Sequence, residues 1–444
     1  MPAAVERLLE RLWHSGHAAY LVGGGVRDAL LGRTETDWDV ATDALPERIL
    51  ALFPGGHYEN RFGTVTIDDI EITTFRRDHQ YADHRRPDSV TFTDDINADL
   101  ARRDFTVNAI CWGRSGHETD DTTAPGWLDP TGGLADLRAG ILRAVGDPRQ
   151  RFDEDSLRLL RAARLAAQLG FEIEPQTQAA MAASAELARW VSSERVGGEL
   201  RKMLRAAPPS RGFAILAATG LLAGFFPELA VQQGVAQDKI PGHDLWAHCL
   251  ASLDAAAALD PANQRLRLAA LLHDIGKPGT LADGHFIGHE VEGARLAAML
   301  LGRLAVPRRE IDDLTELVRH HMFSYEQRWT DAAVRRFIRR VGRGLVDDQL
   351  RLRQADNVGS GLDADAGDLA ELRARVHAQL DAAVPLSLRE LAVNGDDLLA
   401  ALGRRPGPWL GELLDRLLDH VIADPARNTR AALLEAARSM GPTE

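Results

Sequence analysis

The stretch LVGGGVRD at residues 21–28, followed by DWDVA at residues 37–41, decides the fold of the first part of this chain. Apolar residues before the three glycines predict a strand, and a helix is predicted from Val26 to Leu31. Because glycine has no Cβ atom, a phosphate group can approach the backbone closely at this turn. The amides of the helix start and the guanidinium of Arg27 would face that phosphate.

Two carboxylates follow the glycine-rich turn. Asp37 and Asp39 are two residues apart in a segment with strand character, so their side chains are predicted to point to one face and to share Mg²⁺. A glycine-rich turn or an Asp-x-Asp pair alone is more often an ordinary turn or a solvated loop. Their close spacing instead predicts a site for Mg²⁺ and a nucleoside triphosphate, with Gly24 and Arg27 on the phosphates. Such a site indicates nucleotidyl transfer.

This combination resembles the signature of the class II tRNA nucleotidyltransferase and bacterial poly(A) polymerase family, within the polymerase-β superfamily. The resemblance implies an α+β protein that begins with a small mixed α/β, polymerase-β-like nucleotidyltransferase head. An all-α neck with a nucleotide-selecting motif, an HD-type body and a helical tail would follow. The predicted ranges are 1–147 for the head, 148–235 for the neck, 236–365 for the body and 366–444 for the tail.

A hairpin is predicted in the head from two strand-like runs, residues 62–67 and 70–75, with Asp68 and Asp69 between them. Glu71 could be a third carboxylate that completes the metal site or activates the attacking hydroxyl. A solvated strand face is the more common role for such a residue, and it is the interpretation favoured by the sequence.

Residues 76–99 are polar and rich in charge. A long irregular stretch in a compact domain is usually a functional loop or a disordered segment. In the resembled family a flexible loop at this place is needed when the specificity changes from C to A. The loop is present here, which favours complete CCA addition over addition of CC alone.

The motif RRDFTVNA at residues 102–109 matches the family pattern Arg-Arg-Asp-Phe-Thr-x-Asn-Ala. Asp104 and Asn108 are four residues apart and would share a face if the segment is helical. A carboxylate and an amide there suit a ribose, and Arg103 would contact a phosphate. The alternative is a helix start with a structural ion pair.

A long helical region is predicted after residue 148, and its opening RFDEDSLRLLRAAR at residues 151–164 resembles the family's Glu-Asp-x-x-Arg motif. Asp155 can accept from the exocyclic amine of cytosine or adenine, while Arg158, one helical step away, donates to the acceptors of the same base. Uracil mismatches this pair, so the pair could select C and A without a template. Arg161 and Arg164 fan around the helix and are assigned to the triphosphate or to packing. The alternative is an ordinary salt-bridged helix.

A second pattern, of metal-ligating residues, begins near residue 241. His273 and Asp274 stand at the end of an apolar helix that Gly276 halts, and they can place an imidazole and a carboxylate on one metal. The pattern resembles an HD phosphohydrolase domain, which some members of the family carry. The ligands that this resemblance implies are His248 (or His243), His273, Asp274 and Asp356, with His289 and His321 completing a two-metal site for a divalent transition metal.

A helix with one basic face is predicted over residues 331–343. Its arginines lie within an arc of about 140°, and they are Arg335, Arg336, Arg339, Arg340 and Arg343. Like charges on one face repel each other unless a polyanion is near, so contact with the tRNA backbone is weighed against a plain solvated face. The tail after residue 386, with a Gly/Pro break at 403–408, is assigned to the tRNA elbow.

Composition sets the remaining limits. The chain has 444 residues, 26% charged residues and a formal net charge of −13, which suits a globular protein of two to four domains and still allows a local basic surface for RNA. No segment is apolar enough to span a bilayer and no signal peptide is recognisable, so a cytoplasmic protein without membrane contact is expected. Cys111 and Cys249 are predicted to be buried free thiols.

The predicted function is template-independent addition of CCA to tRNA 3′ ends from CTP and ATP, with Mg²⁺ held by Asp37 and Asp39. Poly(A) polymerase shares almost every motif and is the alternative within this class. An HD metal-dependent phosphohydrolase whose head only binds RNA is the alternative from another class. The sequence leaves open the oligomeric state and the metal and substrate of the HD site.

Overall fold

A computed structural model describes residues 1–34, 37–60, 62–79, 81, 84–85, 87–116, 124–237 and 239–441. The chain forms two compact units. The first unit comprises residues 1–230 and 303–305, and the second comprises residues 231–302 and 306–444. The first unit contains the predicted head and most of the predicted neck, and the second contains the predicted tail and most of the predicted body. The predicted domain boundaries stay predictions.

Short strands dominate the head. In chain order they are β1 Ala19–Val22, β2 Asp39–Thr42, β3 His57–Asn60, β4 Thr64–Ile67, β5 Ile70–Thr74, β6 Arg76–His79, β7 Ser89–Phe92, β8 Cys111–Arg114 and β9 Gly126–Leu128. Seven of them form one mixed sheet in the order β3-β4-β5-β2-β1-β8-β9. Strand β2 is antiparallel to β1 and parallel to β5. This pairing places the start of β2 between the end of β1 and the beginning of β5.

The core of the head lies at the centre of this sheet. All four residues of β1 are buried, as expected of a strand that is covered on both faces. Tyr20 and Val22 pack in one cluster with Ala41, Phe75 and Leu100. Helices of the head are α1 Ala3–His14, α2 Gly23–Leu30, α3 Pro46–Leu52, α4 Ile96–Ala101 and α5 Gly133–Ala139. The buried centre of the sheet positions Asp39 at the start of the central strand, β2.

The predicted hairpin is confirmed. Strands β4 and β5 pair antiparallel across Asp68 and Asp69, whose φ angles are 46° and 65°, the left-handed values that two-residue hairpin turns require. In β5 the side chains of Ile70 and Ile72 are buried whereas Glu71 is exposed. The alternation expected from the sequence is therefore present.

The stretch at residues 76–99 is more regular than the sequence indicates. Strands β6 and β7 form an antiparallel pair in which Arg76 faces Phe92. A buried helix, α4, closes the stretch. The prediction of an irregular segment is therefore wrong at both ends, while residues 80, 82, 83 and 86 in its middle lie outside the described residues. The role of this segment in specificity stays a prediction.

The neck is helical, as predicted. It contains α6 Pro148–Glu154, α7 Leu157–Leu169, α8 Pro175–Ala183, α9 Ser193–Met203, α10 Ser210–Ala218, α11 Leu221–Phe225 and α12 Pro227–Ala230. Its short strand β11 Glu172–Ile173 pairs in parallel with β10 Ile141–Leu142 of the head. Helix α7 buries an apolar stripe that includes Leu159, Leu160 and Ala163. Between α7 and α9, Arg164 Nε donates to Glu199 Oε2 at 2.5 Å. Both side chains are about nine-tenths buried or more.

The variant Glu199→Ala is expected to lower the free energy of unfolding by about 3 to 5 kcal/mol, because it leaves the guanidinium of Arg164 buried without its partner charge. Thermal unfolding followed by circular dichroism measures the loss. Lys202→Ala is the matched control, since Lys202 reaches the same carboxylate at 3.6 Å from an exposed position and an exposed pair contributes about 1 kcal/mol or less. Equal shifts in the two variants would contradict the prediction.

The second unit is helical throughout the described residues. Its helices are α13 Leu245–Leu259, α14 Gln264–Leu272, α15 Lys277–Thr280, α16 His289–Arg303, α17 Arg308–Arg319, α18 Asp331–Val341, α19 Val346–Gly359, α20 Leu369–Asp381, α21 Gly395–Leu402, α22 Trp409–Ala423 and α23 Arg430–Met440. The predicted Gly/Pro break separates α21 from α22. Both cysteines are free and buried, as predicted. No described helix combines the length and apolar character needed to cross a membrane.

Candidate active site and candidate metal centre

A cleft of 1020 Å³ opens between the head and the neck within the first unit. Most of the residues that the sequence predicts for catalysis border it. Those that do are Gly24, Arg27, Asp37, Asp39, Arg103, Asp104, Asn108, Arg161 and Arg164. Gly23, Gly25, Glu71 and Lys202 border the cleft as well, whereas Asp155 and Arg158 are not among its lining residues. Its volume is at the upper end of the range that holds small ligands in proteins, about 300 to 1,000 Å³. The cleft is therefore the candidate active site.

The glycines form the first turn of α2, three residues earlier than predicted. Gly23 has a φ angle of +80°, and a Cβ atom there would lie 3.0 Å from Asp39 Oδ2. A Cβ atom on Gly25 would lie 2.3 Å from the carbonyl oxygen of Asp37. The glycines are therefore needed because the aspartate segment packs directly on this helix start.

The two aspartates differ in position. Asp39 is the first residue of β2, whereas Asp37 precedes the strand and is exposed. The prediction that both lie within the strand is therefore wrong for Asp37. Burial raises the pKa of Asp39 to about 6, and the nearby charges of Glu71 and Asp37 raise it as well. A cation between these carboxylates would relieve that repulsion.

Glu71 is the neighbour of Asp39 in the sheet. The parallel register of β2 and β5 pairs the two residues directly, and Glu71 borders the same cleft. Glu71 is exposed, as the sequence favours, but the surface to which it belongs is the wall of the cleft. A set of carboxylate oxygens without nitrogen or sulfur donors fits a hard cation such as Mg²⁺. Sequence reasoning undervalued Glu71 because strand pairing, rather than the spacing along the chain, brings it beside Asp39.

The RRDFTVNA motif forms a network on the cleft wall. Asn108 Nδ2 donates to Asp104 Oδ1 at 3.0 Å, and Arg27 Nη1 donates to Asn108 Oδ1 at 2.6 Å. The two residues meet although the segment is not an α-helix, since only a 3₁₀ turn at Thr106–Asn108 is present. Arg27 is buried and holds Asn108, so its expected phosphate contact stays a prediction.

Arginine side chains of α7 reach this network. Arg161 Nη2 donates to Asp104 Oδ2 at 2.6 Å. Burial alone would raise the pKa of Asp104, but Arg161 and Asn108 hold it well below its usual range. Arg164 pairs with Glu199 and also borders the cleft, so the choice between a triphosphate contact and packing stays a prediction. Arg103 Nη2 lies 3.3 Å from Asp99, while its Nη1 approaches Gly23 beside Asp39.

Asp155 and Arg158 are arranged differently from the prediction. Asp155 is an extended residue between α6 and α7, with φ −140° and ψ 102°, so the two residues are not one step apart on a helix. Its carboxylate forms a bidentate pair with Arg195. Arg158 Nη1 instead donates to Glu154 Oε2 at 2.7 Å. Their role in base selection stays a prediction, and Arg195 is a residue that the sequence reasoning missed.

The second unit brings all six predicted HD residues together. His248 Nε2 lies 3.0 Å from His273 Nε2 and 3.4 Å from Asp274 Oδ2. It also lies 3.3 Å from Asp356 Oδ1. The donor atoms of His248, His273 and Asp274 therefore converge, and Asp356 Oδ1 lies beside the two histidines, 3.7 Å from His273 Nε2. We call these four residues subsite A. His243, the alternative to His248, is not part of this cluster.

Three donors form subsite B beside it. Asp274 Oδ1 lies 3.3 Å from His289 Nε2 and 3.4 Å from His321 Nε2. The two imidazole Nε2 atoms are 3.2 Å apart. Asp274 thus presents one carboxylate oxygen to each subsite, which is the arrangement of a bridging ligand between two metal ions.

Backbone contacts fix the histidine tautomers. The Nδ1 atoms of His248, His273, His289 and His321 contact the carbonyl oxygens of Gly359, Ala270, Phe286 and Val318 at 2.7 to 2.9 Å. A carbonyl only accepts, so each Nδ1 carries a proton and each Nε2 is the ring atom that faces the cluster. Imidazole nitrogens with a bridging carboxylate fit divalent transition metals.

Glycine allows the helices that carry these ligands to pack closely. A Cβ atom on Gly276 would lie 2.2 Å from the carbonyl oxygen of His289, and one on Gly359 would lie 2.1 Å from Ser252 Oγ. The first glycine follows Asp274 and the second ends the helix of Asp356. Substituting either glycine would force subsite ligands apart.

Family models match three segments of the chain. One that describes the poly A polymerase head domain matches residues 19–143. A model for an RNA- and SrmB-binding site of polymerase A matches residues 170–233, and one for tRNA nucleotidyltransferase domain 2 matches residues 292–437. The first match covers the sheet and the candidate magnesium ligands.

Curated relatives extend over nearly the whole chain. The CCA-adding enzyme of Anoxybacillus flavithermus is 31% identical over 442 residues, which are 96% of this chain and 94% of that protein. The chain belongs to the family of CCA-adding enzymes. The CCA-adding enzyme of Levilactobacillus brevis is 33% identical, covering 97% of this chain and 96% of that protein. A solved structure of the Bacillus stearothermophilus CCA-adding enzyme in complex with CTP matches with a TM-score of 0.69 at 29% identity, covering 99% of both chains.

This member of the CCA-adding family contains three lysines against 49 arginines, and all three border the candidate sites. Lys202 borders the cleft. Lys239 Nζ lies 3.2 Å from both His248 Nε2 and Asp356 Oδ1. Lys277 Nζ donates to Asp274 Oδ2 at 2.6 Å. Lys239 and Lys277 thus line a cavity of 620 Å³ together with His285 and four candidate metal ligands, Asp274, His289, His321 and Asp356.

Several arginines of the basic face predicted for α18 contact neighbouring groups. Arg335 is buried and donates to the carbonyl oxygen of Ile422 at 2.7 Å. Arg339 pairs with two aspartates of α22 at 2.7 and 2.8 Å, and Arg343 pairs with Glu390. These contacts bind three of the five arginines to neighbouring groups of the second unit. Contact with the tRNA backbone stays a prediction for all five.

Proposed function

We propose that this protein is a template-independent tRNA nucleotidyltransferase that adds C, C and A to tRNA 3′ ends from CTP and ATP. The observation that carries the proposal is the cleft in which a glycine helix start faces Asp37, Asp39 and Glu71. Membership of the CCA-adding family supports it. So does the likeness, at 29% identity, to a CCA-adding enzyme solved with CTP.

The cleft residues are proposed to have separate roles in nucleotidyl transfer. Asp37 and Asp39 would hold Mg²⁺, with Glu71 as a third carboxylate beside them. Bound Mg²⁺ lowers the charge of the triphosphate and the pKa of the attacking 3′-hydroxyl. The amides around Gly24 and the guanidinium of Arg103 face the space next to these carboxylates and suit the phosphates.

The neck wall would recognise sugar and base. The Asp104 and Asn108 pair offers an acceptor and an amide at the place proposed for the ribose. Arg161 keeps the Asp104 carboxylate ionised and fixed. Asp155 and Arg158 are proposed to select the base once Arg158 leaves its contact with Glu154. No nucleic-acid strand is required, because side chains supply the donors and acceptors.

Labelled nucleotides separate the two polymerase activities. With a tRNA transcript that ends before CCA, CTP alone is expected to give addition of two C residues, and ATP added afterwards is expected to give one A. Both nucleotides are expected to be incorporated, because an acceptor carboxylate and a guanidinium match the hydrogen-bonding groups of both C and A. Gel separation of the products measures each step. Long A tracts on any RNA without C incorporation would contradict the proposal and favour poly(A) polymerase.

A second function is proposed for the HD cluster, on the observation that Asp274 bridges two histidine pairs. Subsites A and B would hold two divalent transition metal ions. Such a pair polarises a phosphoryl oxygen and lowers the pKa of bound water. Lys239 and Lys277 place ammonium groups beside the same cavity and suit a phosphate. The proposed activity is hydrolysis of a phosphate ester, in addition to nucleotide transfer.

A further inference from the structure

The carboxylate of Asp155 is held from several directions in the neck. Arg195 Nη1 donates to its Oδ1 at 3.0 Å and Arg195 Nη2 donates to its Oδ2 at 2.8 Å. The backbone amide of Leu157 donates to Oδ1 at 3.1 Å. A carboxylate offers about four acceptor positions, two on each oxygen. These contacts occupy both positions on Oδ1 and one on Oδ2.

Within the part of the chain that the structure describes, one acceptor position is therefore left on Oδ2, and 19% of the Asp155 side chain is exposed. An ionised carboxylate only accepts, so this position pairs with an exocyclic amine and is repelled by a carbonyl oxygen. Cytosine and adenine carry an exocyclic amine on the Watson–Crick edge of the base, whereas uracil carries a carbonyl oxygen there. Selection between them depends on the direction in which this remaining position points.

Arg195 is the side chain that sets this direction. A bidentate guanidinium fixes the plane of a carboxylate, which a single hydrogen bond does not. Arg158, the partner expected from the sequence, instead donates to Glu154 Oε2 and to the carbonyl oxygen of Arg102 at 2.9 Å. Helix α9 therefore supplies the orientation through Arg195, from a position 40 residues further along the chain.

We propose that Arg195 is a positioning residue for base selection, which holds Asp155 so that Oδ2 accepts from the amine of the incoming C or A. The inference rests on the proposed role of Asp155 in nucleotide addition. Arg195 itself does not contact the base. Removal of the Arg195 side chain frees the Asp155 carboxylate to rotate. Discrimination between CTP and UTP therefore falls more than the rate of nucleotide addition does.

The test compares Arg195→Gln and Arg195→Lys with wild type in single-nucleotide addition to a tRNA transcript ending before CCA. The ratio of kcat/KM for CTP to that for UTP is expected to fall by about 10- to 100-fold in Arg195→Gln, since a bidentate contact gives discrimination of that order. The change is expected mainly in KM for CTP. The ratio in Arg195→Lys should lie between those of wild type and Arg195→Gln, because an ammonium keeps the charge but cannot form the planar bidentate pair with both carboxylate oxygens. Arg189→Gln, an exposed neck arginine, is the control.

The outcomes distinguish a role of Arg195 in orienting Asp155 from a role in protein stability alone. A purely structural Arg195 would slow CTP and UTP equally and leave their ratio unchanged, and this result would overturn the inference. Should Arg195→Gln fail to fold, the ratio in Arg195→Lys decides.

The variant Asp155→Asn separates the proposed role of Asp155 from the proposed role of Arg195. If that variant keeps the wild-type ratio, the role of Asp155 is wrong and the inference falls with it. If Asp155→Asn loses the ratio while both Arg195 variants keep it, only the inference is wrong.

Discussion

The double variant Asp37→Ala, Asp39→Ala is expected to lose nucleotide addition almost completely, with a rate at least about 10⁴-fold below wild type. The two carboxylates are the proposed magnesium ligands, and Glu71 alone cannot replace them. Without the cation, the negative charges of the triphosphate and of Glu71 repel each other in the cleft. Single-turnover addition of labelled CMP to tRNA lacking CCA measures the loss.

Asp94→Ala is the matched control for this variant, because Asp94 is an exposed aspartate of the head. Its rate should equal that of wild type. The double variant should keep any hydrolysis catalysed by the HD cluster, since the ligands of that cluster are in the second unit. A double variant that adds nucleotides within about tenfold of wild type would exclude the proposed site.

Asp274→Ala is expected to remove metal from both HD subsites, with affinities more than about 100-fold weaker. The reason is that each carboxylate oxygen of Asp274 faces one pair of histidines, at 3.2 to 3.4 Å. Titration of Mn²⁺ by calorimetry, with elemental analysis after dialysis, measures ions per chain. Nucleotide addition should be unchanged.

His321→Ala provides the comparison for this experiment. His321 belongs only to subsite B, so this variant should retain one ion in subsite A while Asp274→Ala retains none. His320→Ala is a neutral control, because His320 contacts Glu316 instead. If wild type binds no more metal than Asp274→Ala, the proposal of a metal centre is wrong, whatever the hydrolysis assays give.

The family, the fold class and most of the cleft were predictable because they depend on local patterns. Glycine at residues 23–25 and the aspartates after it are close in sequence, and the sheet register brings them together. The six HD residues lie far apart in the chain. They were still predictable because adjacent His273 and Asp274 mark a recognisable motif to which the other ligands could be matched.

Contacts that depend on the packing of helices were not predictable. The spacing of Asp155 and Arg158 suggested a helical pair, but the chain is extended at Asp155 and the partner comes from α9. The arginines of α18 form a basic stripe in sequence, yet acids in α22 and at Glu390 neutralise Arg339 and Arg343. Charge patterns read along one helix omit the charges that its neighbours supply.

The scarcity of lysine has a practical consequence. Reagents that modify amines have only Lys202, Lys239, Lys277 and the chain's first residue to react with. Because Lys277 is buried, reductive methylation with ¹³C-formaldehyde would place isotopic labels mainly on Lys202 at the cleft and on Lys239 beside the candidate metal ligands. A two-dimensional NMR spectrum of a 48.5 kDa protein would then contain a handful of resolved signals. Nucleotide and metal titrations could be followed at each centre separately, in one sample.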